Sequence, residues 1–114
     1  MSHLSILPTV LRDADILEAS LRSLGLTPVR NQNLEGFAGE QVAVELALTL
    51  QRGLRIGWAR QASGQLALVG DLQRLSRHQP LPPLLGRITR AYAAHQAVAE
   101  AAVHLPQADL RIGV

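Results

Sequence analysis

The sequence predicts an α+β domain: a mainly antiparallel sheet with two helices on one face. Three observations carry this. Between positions 41 and 72, apolar residues alternate with polar or small ones through three consecutive segments, as in strands with one buried side. The joins between these segments are too short for crossover helices, so neighbours must run antiparallel. Two further segments, near 13–24 and 84–105, repeat their apolar residues at helical spacing. An order of strand, helix, strands, helix stacks both helices on one side of the sheet, and 114 residues suit a single domain spanning 1–114.

"HLSILPTVL" at 3–11 reads as a strand that Pro8 confines to an edge or a bend, because proline cannot donate to a ladder. Asp13 is suited to cap a helix running to about Leu24. That helix has Ile16, Leu17, Leu21 and Leu24 on one stripe, Glu18 and Arg22 one turn apart, and Gly25 as its stop. "VRNQN" is extended, and a turn follows near Glu35 and Gly36. In "GEQVAVELALTLQRG", Val42, Val44, Leu46, Leu48 and Leu50 alternate with Ala43, Glu45, Ala47 and Thr49. "LRIGWARQ" and "QLALVGDL" continue the meander, with Leu54, Ile56 and Trp58, then Leu66, Leu68 and Leu72, in phase. "QRLSRHQPLPP" interrupts the pattern, and Pro82 and Pro83 suit a helix start. The second helix carries Leu84, Leu85, Ile88, Tyr92, His95, Ala99 and Ala102 on its stripe, Pro106 stops it, and "DLRIGV" is expected to return as a strand.

The absence of cysteine removes disulfides, thiolate nucleophiles and cysteine-bound zinc, and fits a reducing cytoplasm. Every basic residue is arginine, so a net charge of only +2 gives a pI near 10.4 without a strong positive field. No stretch approaches the roughly 20 apolar residues of a membrane span. Arg12, Asp13 and Asp15 interrupt the apolar run that a secretory signal needs. Phe37, Trp58 and Tyr92 are the only aromatics and Trp58 falls on the buried side, so no stacking platform for nucleic acid is expected.

The alternation also defines a second sheet face, which two helices on the first side leave uncovered. Ala43, Ala47, Ala59, Ala67 and Val69 make it flat and apolar, with Glu45 and Arg55 among them. Such a patch is expected to dock a second copy of the chain or another protein, Glu45 and Arg55 fixing the orientation. A second candidate surface lies around the last helix, where Arg74, Arg77, Arg87 and Arg90 occur without one acid between Leu72 and Ala99. Arginines near a helix start can bind an anion or an acidic partner, or pair with Asp13, Asp15 or Glu18.

No catalytic, metal or cofactor motif is recognised. His95 and Tyr92 are three residues apart on one stripe, a pairing compatible with acid–base chemistry or with a hydrogen-bonded core. His104 is out of phase with His95 by about half a turn, so the two cannot share a metal, and His78 falls in a loop. His3 suits either an amino-terminal copper or nickel chelate with Met1 and Ser2, or a hydrogen bond closing the sheet edge near Asp71.

"MSHLS" followed by "TVLRD", the helix end "LRSLG", then "GFAG", "IGW", "LVGDL" and "ITRAYA" occur in this order over nearly the whole chain. Together they resemble the plastid and cyanobacterial family called domain of unknown function 1257. The resemblance matches His3, Ser5, Arg12, Gly25, Gly39, Asp71 and Tyr92 to family motif positions. The chain departs from the family in a proline-rich loop after Asp71, which lacks an expected aromatic, and in a short carboxy-terminal region. The resemblance implies a photosynthetic bacterium or a plastid stroma and an accessory role. The expected function is a small non-enzymatic protein-binding or assembly module without cofactor. The alternative is a regulatory domain that binds an anion or nucleotide at the arginine cluster.

Overall fold

The alternating segments form strands and the helical stripes form helices, as their periods require. In the computed structural model, which describes residues 4–77 and 80–104, one antiparallel sheet has the order β1-β5-β4-β3-β2. Its strands are β1 (Ser5–Pro8), β2 (Val29–Glu35), β3 (Gln41–Thr49), β4 (Arg55–Arg60) and β5 (Leu66–Gly70). Helix α1 (Ala14–Ser23) joins β1 to β2, while α2 (Leu72–Ser76) and α3 (Leu81–His104) follow β5. The class is α+β.

Asp13 caps α1 by accepting from the Asp15 and Ile16 N–H groups. At the other end Leu26 N–H donates to Leu21 C=O and Gly25 N–H to Arg22 C=O, both at 3.0 Å, with Gly25 in the left-handed conformation that this closure needs. The buried stripe of α1 (Leu17, Leu21) and that of α3 (Leu84, Ile88, Tyr92) pack on Leu46, Leu48, Ile56, Trp58, Leu66 and Leu68, so one sheet face and the helices share the main core.

The edge role of the first strand holds, but β1 ends at Pro8. The Thr9 hydroxyl donates to Leu66 C=O and accepts from Leu11 N–H at 3.0 Å, which turns the chain toward α1. The stretch that interrupts the pattern contains the short α2, so three helices are described rather than two. Pro82 and Pro83 lie in the first turn of α3, where missing N–H groups have no partner to lose. His3, His78, Pro106 and "DLRIGV" lie outside the described residues.

The largest departure concerns the second sheet face, which the chain itself covers. At Asn31 the backbone takes a positive φ of 54°, and the step between Asn31 and Glu45 is missing from the β2–β3 ladder, although the register is the same on both sides. Beyond that step the two strands change faces together. Val44 joins Leu34, Ala47, Ala59 and Val69 in a second core, with Val42 and Leu4 packed against it, whereas Leu46 and Leu48 belong to the first. The distal half of the hairpin is thus an arm that folds back across the sheet. Val44 sits over Gly57, where an added Cβ would lie 2.8 Å from its Cγ1, so only glycine admits the arm. The tip reaches the opposite edge, where Glu40 Oε1 accepts from Leu4 N–H at 2.9 Å and Leu4 packs against Gly36.

Candidate functional site

The arm decides which surfaces remain free. Ala47 is 2% exposed, Ala59 is buried, and Ala67 and Val69 are 0% exposed. These residues, expected to form an uncovered face, are interior wall. Ala43 is exposed on the arm itself and Arg55 at the start of β4. Glu45 lies on neither flat face. Arg60 binds it with two nitrogens, at 2.6 and 3.1 Å, beside Arg12, Asp13 and Ala14 at the start of α1. Arg60 also donates to the carbonyls of Arg12 and Gly64, both at 2.8 Å. The Glu45 carboxyl is held below its ordinary range, chiefly by the hydrogen bond from Arg60 and against the effect of burial.

The arginine cluster is divided. Arg74 lies on α2 and Arg77 at its end, while Arg87 and Arg90 are exposed on α3. None of them takes Asp13, Asp15 or Glu18 as an ion partner among the described residues. Arg30 occupies Asp15 and, at 2.9 Å, Glu18, and Arg22 holds Glu18 at 3.0 Å. These contacts lower the Glu18 pKa, the hydrogen bond from Arg30 first and that from Arg22 second.

Arg74 instead meets Arg55 at the end of the sheet, in a cavity of about 260 Å³ lined by Leu4, Leu34, Glu35, Gly53, Leu54, Arg55, Asp71, Arg74 and Leu75. Four separate pieces of chain build it: the approach to β1, the end of β2 in the arm, the start of β4, and α2. Asp71 Oδ1 caps α2 by accepting from Arg74 N–H at 3.1 Å. Asp71 Oδ2 is buried and has no hydrogen-bond partner among the described residues. The β1–β5 register, continued one step, sets position 4 opposite position 71 at the end of β5, an inner strand, and the His3 expected beside Asp71 lies outside the described residues. Sequence reasoning missed Leu34 and Glu35 as wall residues, because the arm that carries them in shows no compositional signal beyond Asn31.

Arg12 and Tyr92, both motif positions in the resemblance, meet directly. The Tyr92 hydroxyl accepts from Arg12 N–H at 3.2 Å and Asp13 N–H at 2.9 Å, tying α3 to the start of α1 rather than to the half-buried His95. Beyond Tyr92 the same helical stripe continues through His95, Ala99, Ala102 and Val103. There a shallow groove is bordered on the other side, among the described residues, by Arg12, Asp13 and Ile16, with Gln96 and Glu100 along it. Val98 is 40% and Val103 73% exposed. Among the described residues no group of three or more His, Cys, Asp or Glu side chains is placed to hold a metal, and no helix is long and apolar enough to cross a membrane.

Neither a curated protein nor a solved structure matches the chain. A family model described as "Protein of unknown function (DUF1257)" matches residues 20–104, a span that takes in Asp71, Tyr92, the arm and all of α3 while leaving out His3 and Arg12. On that match over most of its length, this chain belongs to the DUF1257 family.

Proposed function

We propose that the chain is a small protein-binding or assembly module that engages a second copy of itself or another protein along α3 beyond Tyr92. The resemblance adds the setting of a photosynthetic cell or plastid stroma. One observation carries the reading: the apolar stripe that packs α3 onto the body runs on for about three more turns with little of the described chain to cover it. An apolar stripe that outruns its own cover is a docking surface for a helix or a flat partner. The buried second face of the sheet supplies no rival surface of that kind.

The test is multi-angle light scattering of the full chain beside the Ala99→Glu, Val103→Glu double variant, both residues lining the groove. A mass above the monomer in the native chain that falls to the monomer in the variant, with an unchanged unfolding midpoint, is expected. A native chain that stays monomeric at high concentration, or a variant that associates as the native chain does, contradicts the reading. The second reading, a regulatory domain that binds an anion, is favoured by the meeting of Arg55 and Arg74 in one cavity.

A further inference from the structure

The β2–β3 arm carries two shapes in one sequence. Arg30 pairs with Leu46 before the step and Gln32 with Val44 after it, so the register is the same on both sides and the hairpin straightens without a slip. A straight hairpin puts Leu34, Val42, Val44, Leu46 and Leu48 on one face, which is the unbroken alternation of the sequence. The closed fold breaks that alternation at Asn31, held at a φ of 54° that residues with a side chain rarely adopt, and sends Leu34, Val42 and Val44 to the second face. Local pattern and tertiary packing thus favour different hinge angles, and a few residues of this kind absorb large changes in φ and ψ. The hold on the closed arm is slight. Among the described residues, one hydrogen bond ties the arm beyond its hinge to the sheet it covers, from Leu4 N–H to Glu40 Oε1 at 2.9 Å. The rest is apolar contact of Leu34, Val42 and Val44 with small residues and the bare backbone of Gly57.

We infer that two copies of the chain exchange this arm, each laying its Leu34, Val42 and Val44 on the other's Gly57, Ala59 and Val69. An arm that swings out strands three apolar side chains and uncovers the seat they filled. The fold itself fixes the occupant of that seat. At Gly57 an added Cβ would come within 2.8 Å of Val44 Cγ1, so the seat is shaped to this ribbon, and an opened second copy presents the same ribbon and the same seat. Two open chains therefore regain between them every contact that each makes when closed. Exchange of an identical element in this way is a low-cost route to a two-fold dimer. A foreign partner would have to reproduce the fit residue by residue. At the tip, the contacts of Leu4 with Glu40 and Gly36 become contacts between copies. The second face is covered in both forms, so the exchange leaves no apolar face bare. It uses none of the α3 groove, and either surface can fail alone.

The chain has no cysteine, so introduced thiols are the only ones present. A Cβ at position 36 would lie 2.9 Å from Leu4 Cγ, which matches the separation of about 3 Å between a cysteine Cβ and the far sulfur of a disulfide. The experiment mixes full-length Leu4→Cys and Gly36→Cys chains, each also carrying Ala99→Glu and Val103→Glu to remove the α3 surface. The mixture is unfolded, refolded at high concentration and oxidised, and peptide mapping reads the cross-link. The expected product is a covalent pair joined from position 4 of one chain to position 36 of the other. Its yield should rise with protein concentration and exceed the 4–4 and 36–36 links at least about tenfold. Asn31→Val, in the same α3 background, alters no residue of the seat but resists a positive φ. Its dimer association constant, measured by light scattering, is expected to rise at least about tenfold. Absence of the 4–36 link, with Asn31→Val no more dimeric than its parent, overturns the inference. So does an Asn31→Val dimer whose mixed cysteine chains lack that link, which marks a contact between closed copies.

Discussion

Tyr92 turns its hydroxyl toward the start of α1, where two backbone N–H groups, of Arg12 and Asp13, point at one oxygen. Both would otherwise need water, and the ring beside them is 5% exposed. Tyr92→Phe leaves them without that acceptor and is expected to lower the unfolding free energy by about 1–3 kcal/mol in equilibrium urea titration. An unchanged midpoint with an unchanged slope would mean that solvent replaces the hydroxyl at no cost. The helical period alone places Tyr92 on the buried side of α3. Its partner is not legible, because the partner is backbone some eighty positions earlier, and backbone donors leave no trace in composition. The same holds for Asp71. An acid before "LQRL" reads as a cap, and nothing local in the sequence shows that its second oxygen is buried.

At the scale of elements, the β2–β3 arm is the feature that alternation misrepresents. "VAVELALTL" reads as one strand with Val42, Val44, Leu46 and Leu48 on one face. A single left-handed residue in the partner strand, Asn31, accompanies a change of face midway. Asparagine tolerates that conformation better than most residues, and this is the only local hint. Glu45 stands at the step and is fastened to Arg60, so the point where the arm leaves the sheet is held by charge. Its carboxyl pKa is depressed in the folded chain by the Arg60 hydrogen bond, and that of Glu18 by Arg30 and then Arg22. A depressed carboxylate contributes stability that is present above its unfolded pKa, about 4.3 for glutamate, and is lost as pH falls through the folded value. Urea midpoints are therefore expected to drop on acidification below that range. The Glu18→Gln, Glu45→Gln double variant should start lower and show a flatter acid limb. Parallel limbs in the two proteins would remove these pairs from the account.

Across the whole molecule, the α+β class, the antiparallel meander, the edge position of β1 and the burial of Trp58 follow from period and turn chemistry, because each depends on short-range pattern. What covers the second face does not. Coverage depends on how far the arm reaches, from the β2 edge of the sheet to Leu4 at the β1 edge, and no local rule encodes that reach. The consequence is functional. With the second face turned into interior by the chain itself, the docking surface we propose is α3, which runs for about 36 Å in a molecule whose longest extent is 54 Å. The most direct test is the equilibrium denaturant midpoint of Val69→Arg, which lies on β5 opposite Gly57 and in the second core with Leu34 and Val44 of the arm, at 0% exposure. A guanidinium forced beneath the arm without a partner has to displace it or remain buried. The account predicts a loss of about 3 kcal/mol or more, or failure to fold. A midpoint equal to that of the native chain would show the face open to solvent and contradict the account.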